Sequence, residues 1–209
     1  MATALSQNLP DALKSIRTRP LFVLRLQVPP YYVVGATPGA FRRVGIVLGG
    51  LFEGERLSGE VLGGNDWQAV RNDGCTKLDV RIVLKATDGA LIVMTYQALR
   101  HGPRDVMEKL DEGKPVDPAS YYFRMNPLFE TSAERYDWLN RIIALGTGHR
   151  LPDGPVYSIF EVLWSVANLT SFQADIRPLF TERDIHAPSK AFTLGSLGIP
   201  GHSRTVASS

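Results

Sequence analysis

From Gly59 to Thr131, apolar and polar residues alternate with a period of two in three stretches, GEVLGGNDWQAV, TKLDVRIVLKATDGALIVMTYQ and ASYYFRMNPLFET. Each is bounded by turn residues, so each predicts β-strands with two unlike faces. Upstream, PLFVLRLQV (Pro20 to Val28) is β-branched and aromatic and is closed by Pro29-Pro30, which supply no amide donors to a ladder. The next apolar run is punctuated by Gly45, Gly49, Gly50 and Gly54, a density that predicts bulges or a tightly curved sheet. Asp88-Gly89 is a hairpin signal, because glycine accepts the positive φ of a two-residue turn. Between Pro103 and Gly113 the chain starts with proline, sets Val106, Met107 and Leu110 on one side and stops at glycine, which predicts a helix. Beyond it, YYFRMNPLFET, a turn-like SAERYD, WLNRIIALGTG and GPVYSIFEVLW continue the series of short extended segments. The fold class expected is all-β, an antiparallel closed or nearly closed β-barrel of about nine or ten strands with one short helical insertion. Residues 1–19 read as a lead-in, with Leu9, Leu13 and Ile16 at helical spacing, residues 20–164 as the barrel domain, and residues 165–209 as a C-terminal extension. Serine, glycine and proline are frequent in that extension, which is expected to be partly disordered.

Composition narrows the class. With 209 residues and 44% hydrophobic content, the chain can bury one core and carry an extension. Its 23 basic residues against 21 acidic ones leave a formal charge of +2, and the basic residues are scattered, which argues against nucleic acid or an anionic membrane as partner. The one cysteine, Cys75, permits no intramolecular disulfide, and a free thiol fits a reducing compartment. No apolar run approaches the roughly 20 residues of a membrane span, so the expectation is a soluble, cytoplasmic protein. Walker, Rossmann and GxSxG patterns do not occur, and His101, His149, His186 and His202 have no metal-ligand spacing. Neither a metal nor a cofactor is expected.

The residues suited to chemistry are carboxylates, arginines and aromatics. From Leu78 to Ala86 the even positions are apolar, while Asp79 and Arg81 share the other face. In a simple barrel the apolar face lines the interior and that pair lies in water. In the alternative the pair enters a polar cavity, where Asp79 needs Arg81 or another donor beside it. Asp66 and Trp67 follow Gly63-Gly64, and a carboxylate against an aromatic wall is suited to acid or base work; the plainer reading makes Asp66 a turn cap and Trp67 core. Tyr122 and Arg124 share a face and offer donors for a carboxylate, phenolate or enolate oxygen, unless Arg124 only pairs with Glu130 or Asp79. Glu130, Tyr136, Trp138 and Asn140 add polar and aromatic groups, and His101 stands at a strand end.

The stretches RRVGIVLGGLFEGERLSGEVLGGNDW, LDVRIVLKATDGALI, RHGP, KPVDPASYYFRMNPLFET, RYDWLNR and VYSIFEVL, taken in order, resemble the family called domain of unknown function 3237, over about Pro20 to Leu163. The resemblance implies a small β-barrel and no general activity. It marks Asp66, Trp67, Asp79, Arg81, Tyr122, Arg124, Glu130, Tyr136, Trp138 and Asn140 as matching the family's polar motif positions. The chain departs at Leu62-Gly63-Gly64-Asn65, where such proteins more often carry proline and alanine. The function expected is that of a cofactor-free isomerase, cyclase or lyase, with Asp66 or Asp79 moving a proton and Arg81, Tyr122 and Arg124 holding an oxyanion. The substrate expected is a small oxygenated, partly aromatic metabolite bound in the barrel. A lipocalin-like carrier without catalysis is the alternative. A homodimer is expected where an outer apolar strand face needs cover.

Overall fold

The structure is a computed structural model and describes residues 4–164. The extension expected from residue 165 lies outside them. Ten strands follow in chain order: β1 (Thr18–Gln27), β2 (Tyr32–Ala36), β3 (Phe41–Val47), β4 (Gly49–Glu53), β5 (Ser58–Val70), β6 (Thr76–Ala86), β7 (Leu91–His101), β8 (Tyr122–Glu130), β9 (Ala144–Leu151) and β10 (Gly154–Val162). Their order in the sheet is β2-β3-β5-β4-β1-β10-β9-β8-β7-β6, and a further β5–β6 pairing closes eight of them into an antiparallel barrel. β3 and β4 run along the two halves of β5 in one interrupted hairpin arm. β4 then continues the ring to β1, while β3 leaves it to pair with β2, whose outer edge meets no strand among the described residues.

Alternation explains the barrel wall. On β6 the side chains of Leu78, Val80, Ile82 and Leu84 are fully buried while Lys77, Arg81 and Lys85 are exposed. Burying each such aliphatic group contributes roughly 1.5–3 kcal/mol, and closing the ring hides the even face of β6 and β7 without any covering layer. At one end the interior is mainly aromatic and aliphatic, with Phe22 against Phe52 and Phe129 at ring separations of 5.4 and 5.9 Å, and the one buried charge on that part of β10, Glu161, is paired with Arg19 and Arg56. Toward the other end Phe123 packs on Tyr157 at 5.4 Å. Both rings lie on Gly148, where an added Cβ would come within 2.8 Å of them.

One irregularity decides which residues of β5 face inward. Between Val61 and Gly63 the register against β6 slips by one, from Val61 opposite Leu84 to Gly63 opposite Val83. A slip of one residue exchanges the two faces of everything beyond it. Val61 points inward before the bulge and Asp66 and Gln68 point inward after it, while Trp67 is turned out. Gly63 and Gly64 carry the bulge at φ of +142° and +154°.

The helix expected between Pro103 and Gly113 is present as α2 (Arg104–Asp111), after a single-turn α1 (Ala4–Gln7). Leu110 anchors α2 over one end of the barrel. Leu9, Leu13 and Ile16 form no helical face; they are exposed, around a 3₁₀ turn at Asp11–Leu13. Trp138 to Arg141, expected as the start of a strand, belong instead to a 3₁₀ helix, Glu134–Arg141. Three residues per turn bring Tyr136 and Leu139 to one side, and both plug the apolar end. No helix among the described residues is long and apolar enough to cross a membrane.

Candidate functional site

The bulge in β5 delivers a carboxylate to the polar end of the interior. Asp66 is 8% exposed, and its Oδ2 accepts a hydrogen bond from Nε2 of Gln68, two residues along the same inward face. Opposite, on β3, Arg43 Nε donates to Gln68 Oε1 at 2.7 Å, which fixes the amide so that its NH₂ points at the carboxylate. From β7 come Tyr96 and Arg100, from β8 Phe123, from β9 Arg150 and from β10 Tyr157. Tyr96 OH donates to Tyr157 OH at 3.3 Å, and Arg100, only 3% exposed, sets its guanidinium 5.7 Å from the Phe123 ring centre. Tyr31, just after Pro29-Pro30, lies with its ring 4.6 Å from the Arg43 guanidinium and 5.3 Å from that of Arg150. It also rests on Gly45, where a side chain would crowd it. At the rim Tyr121 OH meets His149 Nδ1 at 2.9 Å and accepts from the Arg150 amide at 2.9 Å.

Asp66, Gln68, Tyr31, Tyr96, Arg100, Phe123, Arg150 and Tyr157 line a chamber of about 10 Å³, room for one water-sized group. Val28, Tyr31, Arg100 and Arg150 also line a cleft of about 1020 Å³ outside it, so the chamber is the floor of the cleft. The cleft walls come from the loop after β1, from β2 and β3, from the β9–β10 turn and from Leu110 to Val116 at the end of α2 and beyond. Arg43 reaches Asp111 there at 3.5 Å.

Burial is the main force on Asp66 and raises its pKa from 3.8 to about 6; the Gln68 hydrogen bond and the charges of Arg100, Arg43 and Arg150 pull the other way. Burial likewise pushes Tyr96 and Tyr157 well above the ordinary phenol range, with the Asp66 charge adding to it. Both phenols are therefore neutral hydrogen-bond donors at any ordinary pH, and Asp66 is the chamber group whose proton is exchangeable near neutrality. Among the described residues no three His, Cys, Asp or Glu side chains are gathered to hold a metal.

Of the residues singled out from sequence, Asp66 alone lies in this chamber. The expected convergence of Asp79, Arg81, Tyr122 and Arg124 on one hollow is not found, because the ring encloses the apolar face of β6 and β8 and leaves the polar face outside. Arg81 and Arg124 are exposed, Asp79 half-buried on the outer wall, and Tyr122 is 43% exposed. Tyr122 stacks on His101, also outside, at 4.9 Å and beneath the Arg124 guanidinium at 5.1 Å. Trp67, 58% exposed, is turned by the bulge to the face opposite Asp66 and stands across the ladder from Asp79 on the outer wall. Glu130 is exposed at the end of β8. Tyr136 plugs the apolar end and donates to Asp88 at 3.0 Å; Trp138 lies under Arg56 at 3.9 Å, beside the Arg19–Glu161 and Arg56–Glu161 pairs. Asn140 bridges the Thr131 backbone, accepting at 2.8 Å and donating at 2.9 Å. Tyr31, Gln68, Tyr96, Arg100, Arg150 and Tyr157 of the chamber, and Arg43 and His149 of the cleft above it, are not singled out by the sequence. Arg100 carried a signal, since it shares the even positions of β7 with Ile92, Met94, Tyr96 and Ala98, a lone charge on an apolar face.

Asp79→Asn and Arg124→Ala act on the outer wall, and each is expected to change stability by no more than about 0.5 kcal/mol and to leave turnover at the wild-type level. Thermal melts and a single-turnover assay check both; a loss of activity in either variant would return the outer face to consideration.

A small closed barrel, apolar at one end and charged beneath an open cleft at the other, is the class that fold and site define. The description "Protein of unknown function (DUF3237)" matches residues 16–162, and the chain belongs to that family. It is 32% identical over 150 residues to UPF0311 protein RPA1785 of Rhodopseudomonas palustris, covering 71% of this chain and 98% of that one. The crystal structure of RPA1785 superposes with a TM-score of 0.67 over the same shares. A β-barrel-like protein from Acinetobacter baumannii, 35% identical, superposes with a TM-score of 0.64 over 75% of this chain and 99% of its own. A more distant relative, the hydroalkoxylation enzyme phnH of Penicillium herquei, is 28% identical over 127 residues, 61% of this chain and 70% of that one. The barrel is thus of a kind that includes an enzyme.

Proposed function

We propose that the protein is an acid–base enzyme of the isomerase, cyclase or lyase type, acting on a small oxygenated, partly aromatic molecule bound in the cleft above Asp66. The observation that carries this is a buried carboxylate with a pKa of about 6 and one free oxygen on the floor of a cleft large enough for such a molecule. Kinship with a hydroalkoxylation enzyme supports the cyclase member of that set. In such a step Asp66 in its acid form gives its proton to an alkene carbon, a hydroxyl oxygen of the same molecule forms the new C–O bond as the π bond is consumed, and the hydroxyl proton returns to Asp66. The sum is an isomerisation and needs no oxidant or reductant. The arginines hold substrate oxygens, and Tyr31 offers its ring as a flat wall.

The carrier reading draws on the breadth of the same cleft, about 1020 Å³. A panel of phenols bearing an alkene and a hydroxyl, incubated with the protein and followed by chromatography, mass spectrometry and NMR, separates the two. An isomerase or cyclase gives a new isomer of unchanged mass and a lyase gives products of lower mass; a carrier gives back what it was given, and that result ends the catalytic reading.

A further inference from the structure

Among the described residues, three buried side-chain polar atoms have no hydrogen-bond partner: Asp66 Oδ1, Arg100 Nε and Arg150 Nη1. All three residues line the same chamber. Orphaned polar atoms are costly and scarce in folded proteins, so three around one small space mark a place where the partner arrives with a ligand. Arg43 is already engaged by Gln68 and Asp111, whereas neither Arg100 nor Arg150 is ion-paired among the described residues. Two guanidiniums that rest on aromatic rings without an ion-pair partner, set against one carboxylate, leave the chamber short of negative charge.

We propose that the chamber receives one ring-borne oxyanion of the substrate, a phenolate or enolate, held between Arg100 and Arg150 beside Asp66. The sign follows from the two arginines. The size follows from the space: about 10 Å³ admits a single oxygen and no tetrahedral phosphate or sulfate. The ring follows from what stands above, where Pro30, Tyr31, Val33, Phe41 and Leu48 give the cleft an apolar wall for a flat body whose oxygen points down. An oxyanion next to Asp66 favours the protonated carboxyl, the form that donates a proton to carbon. This inference rests on the proposed function in placing the ligand at the same site, but it concerns what is bound and not what is made.

The test is binding without turnover, using 7-hydroxycoumarin and its methyl ether, 7-methoxycoumarin, as probes. The hydroxy compound is expected to bind as its phenolate at a pH where the free compound is largely neutral, seen in its absorbance band, and about tenfold or more tighter than the ether. Arg100→Gln and Arg150→Gln are each expected to erase both the band shift and the preference. Arg150 lies half-exposed at the rim, so its variant is informative even where the buried Arg100 position resists substitution. Equal binding of phenol and ether, binding of the neutral phenol, no binding of the phenol, or a preference that persists in both variants would overturn the proposal. An active Asp66→Asn protein with the phenolate preference intact would instead sink the catalytic reading and leave this one standing.

Discussion

Asp66→Asn is expected to give a protein that is harder to unfold at neutral pH and that turns over its substrate about 10²- to 10⁴-fold more slowly. The stability gain comes from the charge that the fold holds at a cost. Raising the Asp66 carboxyl from 3.8 in the open chain to about 6 in the folded one means that, between those values, folding takes up a proton. Stability therefore falls as pH rises through that window and levels off above about 6, where the ionised carboxylate costs the fold on the order of 3 kcal/mol. Asparagine keeps an oxygen for Gln68 and carries no charge. Its advantage is expected to reach up to about 3 kcal/mol at pH 7.5 and to vanish below about pH 4, read as the difference between wild-type and variant melting temperatures across pH. Turnover retained by the variant would remove Asp66 from the reaction. A flat pH dependence of the difference in melting temperature would show the carboxylate to be less enclosed than the geometry says.

Gly64→Ala is expected to be among the most damaging single methyls in the barrel. A Cβ there falls 2.0 Å from the Arg81 carbonyl oxygen and 2.8 Å from Ile82 Cα, on the β5–β6 ladder that closes the ring. Both obstacles lie on one strand and neither is a side chain that could swing aside. The positive φ of +154° adds strain for any L residue. A loss of at least about 3 kcal/mol follows, seen as a drop in melting temperature of roughly 6 °C or more, or as failure to accumulate folded protein. Gly74→Ala is the comparison: its φ is +81° but nothing lies within 4 Å of the added carbon, so only the backbone preference is lost, about 1–2 kcal/mol. Similar melts for the two variants would mean that the ladder yields at Gly64.

The difference between those two glycines also shows what the sequence could and could not disclose. Period-two alternation in Leu78 to Ala86 was enough to read a strand, and many such strands at short spacing were enough to read a barrel. Which face looked inward was not contained in β6, because it depends on whether the ring closes without a covering layer. Closure puts Leu78, Val80, Ile82 and Leu84 inside and so sends Asp79 and Arg81 out. For Asp66 the obstacle was different. Simple alternation from Val61 would have set Trp67 inside and Asp66 out, and only the extra residue at Leu62-Gly63 reverses them. The glycine pair was legible as a bulge signal, but the sense of its effect needs the partner strand. The rest of the chamber is drawn from eight strands, from Leu26 on β1 to Tyr157 on β10, so no local pattern could assemble it. Leu139 reads from sequence as part of a strand for a reason of scale: eight residues of 3₁₀ helix present Tyr136 and Leu139 as an apolar pair at spacing three, too short a run to separate a helix from the turn and strand that the sequence suggests there.

Tyr136 and Leu139, with the phenylalanines behind them, wall off one mouth of the barrel, and Phe123 and Tyr157 fill its waist. Among the described residues the chamber therefore opens toward the cleft. On the proposed function, a product made above Asp66 would leave by the route its precursor took, so product is expected to act as a competitive inhibitor, read as a rise in apparent KM when product is added.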